Sequence, residues 1–470
     1  MLKEHIKKVK SGEIRLSEYV KDVLNKCKSI NKDFSYFNTI CETEALEQAE
    51  EVEQKIKDKK AGKLAGLIIS VKDNLCVKDV ESTAGSRILK GYKPLFDATA
   101  IERLKKEDAI IIGKTSCDEF GFGSFNTNVG LGFAIPKNPQ DKERVTGGSS
   151  GGSAGITAVA DFVHVAIAES TGGSIESPAS FCGVIGFCPT YGRVSRYGLI
   201  SYANSLDKIG VMTKKVNDIA PVLEIISGFD EKDSTSLKQK MNLKSDVKKL
   251  KIGIIKESLG KGVEREVKEA ILRTVDKLKQ KGFVCEEVSL PITFKYGVPT
   301  YYLISTSEAS TNLACLSGLR YGQEEDPKGK SFSEYFSDVR SKHFNDESKR
   351  RIMLGTFARM AGYRDAYYIK ATKIRTKIIE EYKKLFEKYD VLISPTMPIV
   401  APKISEVKKM TPLQNYMMDI LTVGPNLTGM PHATIPVGDK EGLSIGLMAT
   451  TDHLEEGQLL QFLEIIEGLQ

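Results

Sequence analysis

Short runs of apolar, β-branched residues alternate with longer helical runs along this 470-residue chain, and that alternation leaves few folds open. "GLIISVKDNL", around residue 70, reads as a buried strand because it is short, apolar and β-branched. "AIERLKKEDAIIIGKTSC" reads as a helix, a turn and another buried strand. Between residues 250 and 289, "KLKIGIIKES", "VEREVKEAILRTVDKLKQKG" and "FVCEEVSL" repeat strand, helix, strand. Further on, "YDVLISPT", "HATIPVG" and "LSIGLMA" add strands, and "LLQFLEIIEGL" adds a closing helix. Strands alternating with helices predict an α/β architecture with a largely buried, mixed sheet. Residues 1–60 read as helices, since "AEEVEQKIKDKKAG" has Glu/Lys pairs at helical spacing and a glycine stop. No internal repeat interrupts the pattern. The charged stretch "GFDEKDSTSLKQKMNLKSDVKKLK", at 228–251, reads as an exposed connection within one domain.

Composition removes several classes of function. Hydrophobic residues make up 41% and charged residues 28%, a globular balance. No run of about 18 apolar residues occurs, so no membrane span is expected. The opening "MLKEHIKKVKSGEIRLSEYV" is amphipathic and charged without an apolar h-region, so it does not read as a signal peptide. The 8 cysteines are scattered and form no CxxC pair, which predicts free, mostly buried thiols in a reducing cytosol rather than disulfides or zinc. The net charge of +6 is mild; it permits an acidic partner such as RNA without requiring one.

The chemistry concentrates in two loops. "RVTGGSSGGSAGITAVA" (144–160) holds four glycines and three serines from Gly147 to Ser153. A phosphate loop needs GxxxxGK[ST]; Gly147 and Gly152 have the glycine spacing, but Ser153 and Ala154 follow where lysine belongs. The GxSxG elbow matches at Gly147, Ser149 and Gly151, yet it needs a preceding strand, and "IPKNPQDKERVT" is not one. It also needs a histidine base, and His164, His343, His432 and His453 sit in no special context. Taken alone, the loop is a glycine-rich helix entry. The second loop, "AESTGGSIESPASFCG" (168–183), changes that. Successive amides at Gly172, Gly173 and Ser174 can converge on one point, as an oxyanion hole requires, with Ser174 among them as nucleophile. Lys72 ends the apolar strand "GLIISVK"; in a poorly solvated place its charged form is disfavoured, so it can serve as a neutral base. A lysine at a strand end is ordinarily a solvated surface charge, and only the company of the two loops gives this one a role.

"VKDN" (71–74), "GGSSGGSAG" (147–155) and "TGGSIESPASFCG" (171–183) resemble the amidase signature family. "PTYGRVSRYGLISYANSLDKIG" (189–210), "YYLISTSEASTNLACLSGLRYG" (301–322), "RRIMLGTF" (350–357) and "GYRDAYYIKATKIRTKI" (362–378) resemble its branch of tRNA-dependent amidotransferase A subunits. The resemblance runs from about residue 10 to 465. It implies an α/β/α fold: an N-terminal helical segment, 1–60, packed on an amidase signature domain, 61–470, as a single domain overall. It implies a Ser–Ser–Lys unit in which Lys72 is the base, Ser149 the bridging serine after a cis peptide bond, and Ser174 the nucleophile. Ser150 is the adjacent alternative for the bridge. Backbone amides of Thr171, Gly172 and Gly173 are the implied oxyanion hole. Tyr302, Arg351 and Asp419 are the implied glutamine ligands, with Tyr301 and Arg350 as neighbouring candidates; an arginine fork suits an α-carboxylate and an aspartate an α-ammonium.

The implied activity is hydrolysis of glutamine to glutamate and ammonia, with no cofactor in this subunit. The implied partners are a B subunit, which binds misacylated tRNA and activates it with ATP and Mg, and a small C subunit, in the cytoplasm. Whether Glu-tRNA(Gln) or Asp-tRNA(Asn) is served stays open at this point. A stand-alone amidase for small amides is the alternative. The third reading is a non-enzymatic role in assembly. It rests on two departures from the family pattern: Ser170 stands where aspartate is expected and Glu176 where arginine is expected.

Overall fold

In a computed structural model describing residues 1–245 and 249–469, one mixed β-sheet runs through the chain. Its strands are β1 (Phe37–Ile40), β2 (Ile68–Lys72), β3 (Ile110–Thr115), β4 (His164–Ser170), β5 (Ile185–Cys188), β6 (Lys208–Thr213), β7 (Lys251–Ile255), β8 (Val284–Val288), β9 (Val391–Pro395), β10 (His432–Lys440) and β11 (Leu443–Thr450). They lie in the order β1-β3-β2-β4-β6-β5-β10-β11-β9-β7-β8. β2 runs parallel to both β3 and β4, and β7 parallel to both β8 and β9, while the remaining pairs are antiparallel. The α/β, mixed-sheet expectation is met.

β2, β3, β4, β5, β6, β9 and β11 are buried at every position. Such strands need cover on both faces. On one face Ile69, Val71, Ile111, Val165, Ile167, Val211, Ile393 and Leu447 join the side chains of helices Thr99–Lys106, Ile219–Ile226, Arg265–Gln280 and Glu456–Glu467 in one apolar cluster. Near the β3 edge, helices Leu16–Phe34 and Glu42–Lys57 cover Ile68, Ile110 and Ile112. A third cluster holds helices Pro291–Asn312 and Lys370–Phe386 together with Phe122, Tyr202 and Leu392.

One expectation is revised. Residues 1–60 are not helical throughout: β1 pairs antiparallel with β3 and caps the sheet edge. Its four residues are too few for an alternating pattern to register. The sequence also assigned nothing to 291–386, where long helices stand. Helix Pro291–Asn312 buries Tyr301, Tyr302, Ile304, Ser305, Thr306 and Ser307, on several sides, so no single apolar stripe marks it. Within the connection at 228–251, residues 246–248 lie outside the described residues. Before them, Asp230 accepts hydrogen bonds from Thr99 and Ser195, and Met241 and Leu243 pack on the main cluster. The 8 cysteines are free thiols, six of them buried. Among the described residues no helix is long and apolar enough to cross a membrane.

Candidate active site

Parallel β2 and β4 end side by side, and the groups that carry chemistry gather past those ends, where open α/β sheets commonly bind ligands. Lys72 is the last residue of β2 and Glu169 the penultimate residue of β4. The glycine-serine loop leads into helix Gly151–Val159, packed on β4. A side chain at Gly152 would sit 2.5 Å from Tyr36 O and 2.6 Å from Ser116 N, so only glycine lets this helix start so close to the β3 end. The Gly148–Ser149 peptide bond is cis.

Lys72 Nζ donates to Ser149 Oγ at 2.8 Å. Lys72 and Ser149 are both 0% exposed, whereas Ser174 is 7% exposed, so the lysine lies beneath and Ser174 faces the opening. Ser150 N donates to Ser174 O at 3.3 Å, stitching the two loops together. Ser150 Oγ is directed instead at Glu169 O, 3.0 Å away. Of the two serines, Ser149 is therefore the one in contact with the lysine. A narrow cavity is lined by Gly172, Gly173, Ser174, Tyr302, Arg351 and Asp419, with Gly121, Gly148 and Tyr301 at its sides. Thr171 turns its hydroxyl away from the cavity toward Glu169 and Asp207. The Gly173 amide donates to Ser170 Oγ at 3.2 Å, which ties one of the expected oxyanion donors to the loop itself.

The three expected glutamine ligands converge. Tyr302 Oη donates to Asp419 Oδ2 at 2.6 Å. Burial pushes the Asp419 carboxyl up to about 6, against the lowering effect of its hydrogen bonds and of Arg351. Arg351 is fully buried among Phe122, Tyr202, Tyr302 and Tyr416, with ring centres 5.2–5.8 Å from its guanidinium carbon. It donates to Tyr202 Oη at 2.8 Å and to Glu347 Oε1 at 2.7 Å. Arg350 pairs with the other oxygen of Glu347 and lines an outer vestibule. Tyr301 presses its ring against Gly172.

Sequence reasoning missed Glu169, whose Oε2 lies 2.8 Å from Lys72 Nζ, and Asp207, Tyr202 and Glu347 behind the first layer. Glu169 carried a signal: it is a carboxylate within a strand otherwise buried throughout.

The two departures explain each other. Ser170 Oγ donates to Glu176 Oε2 at 2.9 Å, and Glu176 Oε1 lies 2.7 Å from His432 Nε2. Burial alone would raise Glu176, but His432 outweighs it and holds the carboxyl at about 2. Glu176, Cys188 and His432 are the one group of metal-ligand type found among the described residues. Two ligands of a tetrahedral zinc, each about 2.0–2.1 Å from it, stand about 3.3 Å apart. The 2.7 Å between Glu176 Oε1 and His432 Nε2 is a direct ion-pair distance, shorter than that separation.

This chain is similar to known proteins over nearly its full length. It is 44% identical over 462 residues to the glutamyl-tRNA(Gln) amidotransferase A subunit 2 of Clostridium acetobutylicum, covering 97% of this chain and 95% of that protein. It is 44% identical over 466 residues to the glutamyl-tRNA(Gln) amidotransferase A subunit of Sulfurihydrogenibium sp., covering 98% and 95%. The crystal structure of the glutamyl-tRNA(Gln) amidotransferase A subunit from Thermotoga maritima superposes with a TM-score of 0.78 at 35% identity, covering 95% of this chain and 89% of that one. The sequence model of the amidase family matches residues 18–460, and with these relatives it makes the chain a member of the amidase family.

Proposed function

We propose that this chain is the glutamine-hydrolysing A subunit of a tRNA-dependent amidotransferase. The observation that carries the reading is the 2.8 Å Lys72–Ser149 hydrogen bond beneath a cavity shared by Ser174, Arg351 and Asp419. In this mechanism Ser174 Oγ attacks the side-chain amide carbon of glutamine. Its proton passes to Ser149 Oγ as Ser149 passes its own toward Lys72. Amides of Thr171, Gly172 and Ser174 surround the tetrahedral oxyanion, that of Gly173 being held by Ser170 Oγ. Collapse breaks the C–N bond, the relay returns a proton to the leaving nitrogen, and water then releases glutamate from the Ser174 ester. Arg351 holds the α-carboxylate and Asp419 the α-ammonium, the division their charges favour.

The ammonia is passed to a B subunit that activates misacylated tRNA with ATP and Mg, with a small C subunit completing a cytoplasmic heterotrimer. The relatives are named for Glu-tRNA(Gln), which favours Gln-tRNA(Gln) as product over Asn-tRNA(Asn). The test is to co-express the chain with its partner subunits, purify the complex and follow both glutamine hydrolysis and amidation of Glu-tRNA and Asp-tRNA. Glutamine-dependent amidation is expected. A chain that purifies alone and hydrolyses small aliphatic or aryl amides in preference to glutamine would make it a stand-alone amidase.

A further inference from the structure

We propose that Glu169 is the terminal proton acceptor of the Lys72–Ser149–Ser174 relay. This rests on the reading that Ser174 is the nucleophile. Lys72 Nζ has three oxygen partners: Ser149 Oγ at 2.8 Å, Glu169 O at 3.0 Å and Glu169 Oε2 at 2.8 Å. An ammonium has three protons and no lone pair. Bonded in this way, Lys72 can take the Ser149 proton only by giving one up. Two of its three partners are hydroxyl and carbonyl oxygens, which cannot hold the proton. The third is the Glu169 carboxylate, which can.

The surroundings leave Glu169 free for that task. Thr171 Oγ1 lies 2.6 Å from Glu169 Oε1 and 2.8 Å from Asp207 Oδ1. One hydroxyl hydrogen cannot serve two carboxylates, so one of the two acids donates. The Lys72 cation donates directly to Glu169, whereas Asp207 meets only the Thr171 hydroxyl and the backbone amides of Tyr202 and Ala203, and burial raises its carboxyl; Asp207 is therefore the acid that donates, and Thr171 gives its hydrogen to Glu169. Asn74 Nδ2 donates to Glu169 Oε2 at 3.0 Å and fixes the oxygen that faces Lys72. The other ionisable groups around the relay are Lys208 at the start of β6, the Cys188 thiol at the end of β5, which burial keeps neutral, and Asp118 beside the Gly148–Ser149 bond, whose carboxyl burial raises to about 6.

The step balances. As the Ser174 Oγ–C bond forms, Ser174 gives its proton to Ser149, Ser149 gives its own to Lys72, and Lys72 gives one to Glu169 Oε2. Lys72 ends as it began, and Glu169 ends as a carboxylic acid. When the C–N bond breaks, the same chain runs backward and the leaving nitrogen gains the proton. Glu169 never touches substrate; it acts through Lys72 as a positioning and proton-holding residue.

The experiment measures the rate at which a sulfonyl fluoride labels Ser174 at pH 7 in the wild-type complex, in Glu169→Gln and in Glu169→Asp, with glutamine hydrolysis followed in parallel. Glu169→Gln keeps the size and the acceptor oxygen but cannot take a proton, and its labelling is expected to fall at least ~100-fold. Glu169→Asp, which keeps a carboxylate, is expected to recover at least about tenfold of that loss. A folded Glu169→Gln protein that labels within about tenfold of wild type, or a Glu169→Asp protein no faster than Glu169→Gln, would overturn the proposal and leave Glu169 a structural residue. Where Glu169→Gln does not fold, a folded Glu169→Asp protein that labels at less than about a hundredth of the wild-type rate would overturn it. Wild-type protein that labels as expected but leaves glutamine intact would sink the glutaminase reading and leave the relay standing.

Discussion

Asp419 is held in the cavity at the expense of its own charge. Burial raises its carboxyl to about 6, while an unperturbed aspartate titrates near ~3.9. A raised folded value means ionisation works against the fold, so this site is less stable above pH 6 than below it. Binding an α-ammonium requires that unfavourable charge. The KM for glutamine is therefore expected to rise as pH falls through 6, with kcat changing less, in steady-state kinetics from pH 5 to 8. Asp419→Asn should raise KM at least tenfold, remove that pH dependence and leave thermal stability at pH 7 equal or higher. An unchanged KM would assign the ammonium to another acid. At this scale much was legible: Lys72, Ser149, Ser174, Arg351 and Asp419 were all found by motif, and the structure brings them to one place. Asp207 and Tyr202 were not, because their roles come from contacts across 36 and 149 positions of chain that no local pattern records, and Glu169 showed only as a carboxylate in a buried strand, its Lys72 partner lying 97 positions away.

Among the elements, the loop carrying Ser174 is shaped by what presses on it. A Cβ at Gly172 would lie 2.5 Å from Tyr301 Oη and closer still to its ring, and Tyr301 is itself buried on helix Pro291–Asn312. Thr422 Oγ1 donates to Gly172 O at 2.7 Å from the other side. The loop is clamped between two elements, and the side left open is the cavity, so a shift to relieve the contact moves its amides into the site. Gly172→Ala should cost about 1–3 kcal/mol of stability, the usual penalty for overpacking. It should also lower glutamine hydrolysis at least ~100-fold by displacing the oxyanion donors, a catalytic loss of the size expected when one such donor is lost. Thermal unfolding and activity, measured together, check both; near-wild-type activity would mean that the amides of Gly172 and Ser174 do not stabilise the transition state. Strands with continuous apolar runs, such as β2, β3 and β9, were legible because their burial on both faces is written in composition. β1 and the helices that clamp this loop were not, since a four-residue edge strand and a helix buried on several sides leave no clean period.

The chemistry proposed for the whole molecule ends at ammonia, and nothing in that role asks this chain to handle tRNA. Ser174→Ala removes the nucleophile and about one oxygen of volume. Ser174 is the most exposed of the three relay residues, so its loss opens no buried cavity of consequence. Its backbone contacts survive the change: Ser150 N still reaches residue 174 O, and Ser177 N still reaches Gly173 O at 2.8 Å. The loop should therefore keep its shape and the complex its assembly. In the proposed heterotrimer the Ser174→Ala protein is expected to lose glutamine-dependent amidation while still amidating misacylated tRNA when ammonium salt is supplied at high concentration. The measurement compares the two nitrogen donors in one preparation shown to be assembled by size-exclusion chromatography. Activity with glutamine would remove Ser174 as nucleophile. Loss of activity with both donors would mean that this chain does more than release ammonia, and that the state of its loop is felt at the site where tRNA is amidated.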